Sequence, residues 1–259
     1  MKKNKRKIIS IVLLLCLIII IFVLHSKNSL EEIVEKVAIQ LYGEPIDLET
    51  NIINNRYFNI QSNGTNAKAT TEGINKAIQY ASQHQIEYIK LEQGTYLIEG
   101  LSENYEKVGI ILQDNVKLDL NGSIIRHNVN DSQGYTTIMF WNVNNASISN
   151  GILIGDKEEH EYTEGETHEW GHGIVVKGSS NIQINNLEIY NMTGDGIYLT
   201  DLYENGQSQI SENIEIKNCN IHDCRRQGMT IVCAQKVDFY NNEIHHIGGS
   251  GIYIFFLRI

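Results

Sequence analysis

Proline, cysteine and basic residues are scarce in this sequence, and each scarcity excludes a class of protein. Proline occurs once in 259 residues, at Pro45, which suits long uninterrupted strand ladders because proline cannot donate a ladder hydrogen bond. The four cysteines form no disulfide framework, since Cys16 falls in an apolar run and Cys219 at a position predicted to face inward. A single disulfide bond between Cys224 and Cys233 is left as an alternative.

Basic residues number 21 against 31 acidic ones, which gives a formal net charge of −10. Residues 1–7 hold five of the basic residues, so the rest of the chain is more acidic still. General nucleic-acid binding needs a basic face, and we therefore expect no nucleic-acid partner. A polyanionic glycan is compatible with this charge, because a local cleft can be basic or carry Ca²⁺ on an acidic protein. Ca²⁺ is the one cofactor left open, and no residue is assigned as a metal ligand.

The N-terminal residues 1–27 combine a basic start with an apolar run over residues 8–24. At ~1.5 Å per residue, a helix of this run reaches roughly 25 Å, which is short for a span and long for a signal sequence. No small-residue cleavage site follows. The pattern favours an uncleaved signal-anchor that attaches the protein to the membrane through this helix, and a cleaved signal peptide is the alternative. Either one places the remaining chain at the cell surface or in the medium.

Two helices are predicted after this segment. Residues 28–56 are expected to be a stalk or linker, in which apolar residues at helical spacing indicate a short helix over residues 30–42. A second helix is predicted from Thr70, a candidate N-cap, to Ala81, because its apolar residues share one face. Residues 88–91 and 94–98 are then predicted to be strands.

A Gly-x-Gly-Ile pattern recurs towards the C-terminus. Its second glycine is repeated after 23, 32 and 23 residues, at Gly173, Gly196, Gly228 and Gly251. An asparagine marker keeps the last two of these steps, at Asn186, Asn218 and Asn241. Two markers that stay in step through one irregular unit indicate a solenoid.

Apolar residues alternate within each unit, which is the spacing of strands. In the first two units the predicted inward residues are Ile174, Val176, Ile182, Ile184, Leu187 and Ile189, followed by Ile197, Leu199, Ile214, Ile216, Cys219 and Ile221. Three short strands per turn, closed by glycine and asparagine corners, predict an all-β, single-stranded right-handed parallel β-helix over residues 57–259. Equivalent residues then stack about 4.8 Å apart, and stacked asparagine amides can bond along the ladder. Residues 201–209 are predicted to leave the coil as a polar loop.

Residues 63–67 (NGTNA), 70–78 (TTEGINKAI) and 94–96 (GTY) resemble the N-terminal part of the pectate lyase-like superfamily, which includes the rhamnogalacturonase/epimerase-like pectate lyase domains. The resemblance extends from about Phe58 to the end of the chain. It implies a β-helix whose N-terminal helix caps the open end and protects the edge strands. It implies no single reaction, because this superfamily includes lyases, hydrolases, epimerases and inert adhesins.

The position before the second glycine of each repeat carries a polar side chain. His172, Asp195, Gln227 and Ser250 are expected to stack there on one face. Arg225 and Arg226 lie just before Gln227, and Glu169 and Trp170 lie just before His172. We therefore predict a catalytic set of Asp195, His172, Arg226, Arg225 and Glu169, and a substrate-binding set of Trp170, Tyr198, Tyr162 and Gln227.

Two mechanisms could use these residues. A uronate lyase or epimerase needs a neutralised carboxylate and a base, for which Arg225 and Arg226 with His172 or Asp195 are candidates. A glycoside hydrolase needs two carboxyl groups, for which Asp195 with Glu169 or Asp156 are candidates. Residues 171–173 and 194–197 resemble fragments of the polygalacturonase motifs, in reversed order and without the tandem Asp-Asp. In the alternative, structural interpretation, Asp195 makes a turn hydrogen bond and the arginines form surface ion pairs.

A polar insertion over residues 156–170 precedes the repeats and ends in a formal His-Glu-x-x-His match. The glycines around His172 argue against the helix that this zinc motif needs, although another metal geometry with His160 and His168 stays open. The chain stops inside a predicted coil, so we expect a truncated or frame-shifted product of a longer β-helix. The leading hypothesis is an exported, membrane-anchored enzyme acting on a polysaccharide, and the alternative is a non-catalytic cell-surface or glycan-binding β-helix.

Overall fold

The computed structural model describes residues 30–101 and 107–255. The predicted signal-anchor over residues 1–27 lies outside these ranges. Among the described residues, no helix is both long and apolar enough to cross a membrane. The chain divides into two units, Met1–Glu44 and Pro45–Ile259. In the first unit residues 30–42 are helical (α1), as their spacing predicts.

The second unit contains two further helices, α2 (Asn55–Phe58) and α3 (Ala67–Gln83), and a long series of strands. The strands are β1 (Ile46–Asp47), β2 (Ile52–Ile53), β3 (Tyr88–Lys90), β4 (Thr95–Ile98), β5 (Lys107–Ile111), β6 (Lys117–His127), β7 (Gly134–Trp141), β8 (Asn144–Ile154), β9 (Trp170–Lys177), β10 (Ser180–Tyr190), β11 (Ile197–Thr200), β12 (Leu202–Glu204), β13 (Gln207–Gln209), β14 (Ser211–Lys217), β15 (Asn220–His222), β16 (Met229–Ile231), β17 (Ala234–Tyr240), β18 (Glu243–His245) and β19 (Ile252–Ile254).

The strands form a parallel β-helix with three strand segments in each turn. Sheet A has the order β1-β2-β3-β6-β8-β10-β14-β17, with β4 beside β6 and β15 between β10 and β18. Sheet B has the order β19-β16-β11-β9-β7-β5. Each complete coil therefore passes once through sheet B and twice through sheet A. Sheet A begins at Ile46, earlier than the predicted start at residue 57, because β1 and β2 pair with each other and then with β3.

Asparagine forms the corner between the two sheet A segments of successive coils. Asn150, Asn186 and Asn218 have φ values of 60°, 53° and 54°, a left-handed conformation that asparagine adopts more readily than other non-glycine residues. The Nδ2 group of Asn186 donates to Asn150 Oδ1 at 2.9 Å. Asn218 donates instead to Asn185 Oδ1 at 2.9 Å. The prediction of a hydrogen bond between the side-chain amides of Asn186 and Asn218 is therefore wrong in detail, although these residues occupy equivalent corners.

The interior of the coil is apolar, as the alternation predicts. The twelve residues predicted to point inward in the first two units are at most 2% exposed. Stacking of such residues on parallel strands buries apolar surface continuously along the solenoid, which is what stabilises this architecture. The extra residues of the long unit form an antiparallel hairpin, β12–β13, which leaves the coil at the predicted place. Cys219, Cys224 and Cys233 are free thiols, so the bridge left open between Cys224 and Cys233 is absent.

Helix α3 packs against the first coil through the predicted face, and Ile74, Ala77, Ile78 and Ala81 are fully buried there. The helix begins at Ala67, after Asn66. The prediction that Thr70 is the N-cap is therefore wrong. It lies in the first turn, where its N–H donates to Asn66 O at 3.0 Å and its hydroxyl donates to Thr65 O at 3.2 Å.

Candidate functional site

A groove of about 560 Å³ lies on the outer face of sheet B. Strands β7, β9 and β11 supply its floor, and the β12–β13 hairpin supplies one wall. Its lining includes Thr136, Trp170, His172, Lys177, Tyr198 and Tyr203. The Trp170 and Tyr203 side chains are 49% and 69% exposed, so two aromatic rings face solvent at this groove.

The polar positions beside the groove stack in the predicted register. Gly173 N–H donates to Asp195 O, and Gly196 N–H donates to Gln227 O, each at 3.0 Å. His172, Asp195 and Gln227 therefore lie on successive coils. Parallel strand pairing fixes this register, because the inward residues on either side must stay inward.

Each of these side chains also accepts a hydrogen bond from the backbone of the next coil. His172 Nδ1 accepts from Asp195 N–H at 3.0 Å, and Asp195 Oδ1 accepts from Gln227 N–H at 3.1 Å. Gln227 Oε1 accepts from Ser250 N–H. We call these three side chains the acceptor ladder. The ladder gives Gln227 a structural role, and Gln227 does not line the groove. Its predicted contact with a substrate stays a prediction.

The His172 imidazole is neutral and its second nitrogen is a donor. Burial first, and then the positive charge of Arg226, lower the His172 pKa to about 3. Because Nδ1 accepts a hydrogen bond, the ring proton lies on Nε2. The ring stacks on Tyr198, with centroids 4.9 Å apart and planes 15° from parallel. His172 and Tyr198 both line the groove, and the imidazole carries its N–H donor on Nε2.

Asp195 divides its carboxyl group between two roles. Oδ1 belongs to the acceptor ladder, whereas Oδ2 lies 3.6 Å from Arg226 Nη1. Burial raises the Asp195 pKa to about 6, against the opposing effects of the Thr230 hydroxyl, Arg226 and the Gln227 N–H. Asp195 Oδ2 and Arg226 Nη1 are both buried without a hydrogen-bond partner among the described residues. The site therefore holds an unusually weak carboxylic acid beside a guanidinium nitrogen that makes no hydrogen bond to a described residue.

Arg226 connects this carboxyl group to the groove. Its guanidinium carbon lies 4.9 Å from the centroid of the Trp170 ring, which is a cation–π contact. The Glu169 carboxylate contributes a smaller, repulsive effect that further raises the Asp195 pKa. Glu169 does not line the groove.

Arg225 and Tyr162 lie together outside the groove. Arg225 Nη1 donates to the carbonyl oxygens of Thr167 and His168, at 2.9 and 3.0 Å. Its guanidinium carbon lies 5.2 Å from the Tyr162 ring centroid, and neither residue lines the groove. Arg225 fastens the 156–170 insertion through these contacts, and the roles predicted for Arg225 and Tyr162 stay predictions.

A buried polar cluster lies inside this insertion and was not predicted from the sequence. Asp156, His160 and His168 are 1%, 7% and 0% exposed and are joined by hydrogen bonds. His160 and His168 were considered together only as metal ligands, because no repeat spacing indicates that this insertion is buried. No group of three or more His, Cys, Asp or Glu side chains in the described ranges could hold a metal ion, which argues against the metal site left open for His160, His168 and His172. His160 Nε2 and His168 Nδ1 are hydrogen-bonded to each other instead.

Comparison with known proteins supplies the family. The sequence matches the family described as a right handed beta helix region over residues 77–256. The chain belongs to this right-handed β-helix family. The fold expected from the pectate lyase-like resemblance is thereby confirmed. His172 lies on strand β9 and not on a helix, which excludes the zinc-protease interpretation.

Two curated relatives come from Bacillus subtilis strain 168. The uncharacterized protein YclG is 31% identical over 194 residues, which cover 70% of this chain and 33% of YclG. The SPbeta prophage-derived uncharacterized protein YorA is 28% identical over 207 residues, which cover 74% of this chain and 35% of YorA. The chain thus spans about a third of the length of these relatives.

Three solved structures share the fold at low identity. The Agl-KA catalytic domain has a TM-score of 0.61 at 13% identity, with 78% of this chain and 34% of that chain covered. ORF18 of Geobacillus virus E2 has a TM-score of 0.57 at 15% identity, with 80% and 39% covered. An iota-carrageenase complexed to iota-carrageenan fragments has a TM-score of 0.50 at 15% identity, with 69% and 40% covered.

Asp195 is expected to make the fold less stable as the pH rises. Its folded-state pKa is raised to about 6 from 3.8, so its contribution to stability is complete below about pH 4 and is lost as the pH passes about 6. Asp195→Asn keeps an Oδ1 acceptor for Gln227 N–H but does not titrate. We expect the free energy of unfolding of the variant, relative to wild type, to rise by about 3 kcal/mol between about pH 4 and about pH 7.

Urea unfolding at a series of pH values measures this difference. His172 opposes Asp195, because a lowered histidine pKa removes stability as the pH falls, but His172 is common to both proteins. Asp238→Asn, at an exposed position on β17, is the matched control. A difference between Asp195→Asn and wild type that stays constant over this pH range would contradict the raised pKa.

Proposed function

We propose that this chain is the polysaccharide-recognising β-helix module of an exported, glycan-active protein, and that it binds its ligand in the groove over sheet B. The observation that carries the proposal is the pair of solvent-facing aromatic rings, Trp170 and Tyr203, at a groove with a polar floor. Sugar rings stack their apolar faces on such rings, while their hydroxyls need polar partners.

The floor of the groove supplies those partners. His172 Nε2–H can donate to a sugar oxygen, and Thr136 and Thr200 carry hydroxyl groups. Lys177 adds a positive charge, with its Nζ 4.5 Å from the Trp141 ring centroid. Lys177 favours a polysaccharide that carries carboxylate or sulfate groups, since a charge-assisted hydrogen bond is stronger than a neutral one. The iota-carrageenase that shares this fold was solved with iota-carrageenan fragments, which supports a polysaccharide as the class of ligand.

Loss of either exposed ring should weaken glycan binding. We expect Trp170→Ala and Tyr203→Ala each to lower the affinity for a bound polysaccharide by about tenfold, because a stacked aromatic ring contributes about 1 kcal/mol beyond its buried area. Affinity electrophoresis or calorimetry over a panel of acidic and neutral polysaccharides measures the change.

Tyr253→Ala is the matched control for this experiment. Tyr253 is also exposed, at 42%, and lies on β19 of the same sheet, but it does not line the groove. The proposed groove would be contradicted if the wild-type protein bound no polysaccharide in the panel. It would also be contradicted if the Trp170→Ala and Tyr203→Ala proteins bound as tightly as the Tyr253→Ala control.

Catalysis on the bound polysaccharide is the second candidate function, and the paired Asp195 and Arg226 side chains favour it. A carboxyl group with a pKa of about 6 can exchange a proton near neutral pH. In β-elimination from a uronate, a base takes the C5 proton, the C4–C5 double bond forms, and the C4–O bond breaks with its electrons leaving on oxygen. Arg226 would neutralise the uronate carboxylate during this step. Asp195 is fully buried, so a sugar reaches it only after neighbouring side chains move, and binding therefore remains the leading function.

If the chain is catalytic, both members of this pair are needed. We expect Asp195→Asn and Arg226→Ala to lower the rate of unsaturated-uronate formation by about 10²-fold or more. Ultraviolet absorbance of the unsaturated product and a reducing-sugar assay distinguish a lyase from a hydrolase. Variants that turn over substrate as fast as wild type would exclude the pair as catalytic groups.

We also propose that the protein is exported and held at the cell surface by residues 1–27, or secreted if that segment is cleaved. The support is the basic start and apolar run of the sequence. Cells that express the full chain are fractionated, and the N-terminus of the product is sequenced. For a signal-anchor we expect the protein in the membrane fraction with an intact N-terminus. Recovery of the full chain in the cytoplasm would contradict export.

A further inference from the structure

We propose that Asp156, His160 and His168 form a buried hydrogen-bond relay that positions Trp170 at the groove. They would be positioning residues for the glycan site, so this inference rests on the proposed function. The relay lies in the 156–170 insertion, which ends at Trp170. Its three side chains are at most 7% exposed, which is unusual for ionisable residues in a loop.

The hydrogen bonds of the relay form one continuous chain. Asp156 Oδ2 lies 2.8 Å from His160 Nδ1, and His160 Nε2 lies 2.8 Å from His168 Nδ1. His168 Nε2 accepts from the Thr163 N–H at 3.0 Å. The relay therefore links the start of the insertion, its middle and its end.

The Thr163 N–H fixes the tautomer of both rings. Because His168 Nε2 is an acceptor, its proton lies on Nδ1 and is donated to His160 Nε2. The His160 proton must then lie on Nδ1, from which it is donated to the Asp156 carboxylate. These hydrogen bonds fix the orientation of both imidazoles, and the Glu166 carboxylate lies 3.4 Å from His168 Nε2 at the outer end of the relay.

Two other coils hold the ends of the relay. Asp156 Oδ2 also accepts from the Asn130 N–H at 3.0 Å and from Asn130 Nδ2 at 2.9 Å, which ties it to the segment between β6 and β7. Arg225, between β15 and β16, donates to Thr167 O and His168 O. The insertion is thus fastened from both sides, and Arg225 serves this purpose while Arg226 contacts the Trp170 ring itself.

The backbone at His168 shows why the relay matters for Trp170. His168 has a φ of 47°, in the left-handed region that few non-glycine residues adopt, and its ring is held on both sides by the relay. Two residues later, the Trp170 N–H donates to Gln133 O at 3.1 Å and β9 begins. The relay holds His168 in the conformation from which the chain enters this strand with Trp170 directed to the groove.

Substitution of His160 separates a hydrogen-bonding role from simple filling of space. A glutamine amide carries a donor and an acceptor about as far apart as the two imidazole nitrogens, so His160→Gln can donate to Asp156 and accept from His168. His160→Leu can do neither. The chain has two tryptophans, so in a Trp141→Phe background the fluorescence reports Trp170 alone.

We expect His160→Leu to leave Trp170 more accessible to acrylamide quenching and to weaken polysaccharide binding by about tenfold, since about one molecule in ten would hold the ordered loop. His160→Gln should restore both readouts towards wild type. His84→Leu, at an exposed position after α3, is the control and should change neither. In the wild-type protein, ¹⁵N-detected NMR should place the protons of His160 and His168 on Nδ1.

Three results would overturn the relay. They are unchanged quenching and affinity in His160→Leu, a His160→Gln protein that behaves like the leucine variant, or a proton on Nε2 of either ring in the wild type. The quenching and NMR readouts need no glycan. A wild-type protein that binds no polysaccharide but has the expected tautomers and quenching pattern would therefore contradict the proposed function and support the relay.

Discussion

Hydrogen bonding between successive parallel coils is the interaction on which the rest of this structure depends. Each coil takes its register from the coil before it, because a slip of one residue would turn every inward isoleucine outward. The apolar interior stabilises the stack, while the backbone ladder decides which residues become neighbours. Residues 23 or 32 positions apart in sequence, such as His172, Asp195 and Gln227, are thereby brought onto adjacent coils.

The same constraint limits the chemistry that these residues can perform. The acceptor ladder uses His172 Nδ1, Asp195 Oδ1 and Gln227 Oε1 to hold the next coil. What remains for a ligand is the other half of each group, namely the Nε2–H of His172 and the Oδ2 of Asp195. Only His172 lines the groove, whereas Asp195 lies buried beside Arg226. Recognition therefore needs less rearrangement of this site than catalysis does.

The repetitive part of the molecule could be predicted from the sequence, and the non-repetitive part could not. Spacing alone predicted the coils, the inward residues and the stacking of His172 on Asp195, since each follows from a short period. The prediction of Thr70 as the N-cap was wrong because the helix starts one turn earlier, at Ala67. The position of Arg225 outside the groove was not predicted because its partners, Thr167 and His168, are almost sixty residues away in a loop. No periodicity reveals such a contact. The members of the Asp156–His160–His168 relay are close in sequence, but they lie in a non-repetitive insertion whose burial no spacing predicts.

Amide hydrogen exchange tests the central claim, that side chains of one coil hold the backbone of the next. The measurement compares the Asp195 and Gln227 amides in wild type and in His172→Phe. Both amides should exchange slowly in wild type, and the substitution should accelerate exchange at Asp195 while leaving Gln227, which is held by Asp195 Oδ1, unchanged. Fast exchange of both amides in wild type, or an Asp195 amide indifferent to the loss of the imidazole, would contradict the account.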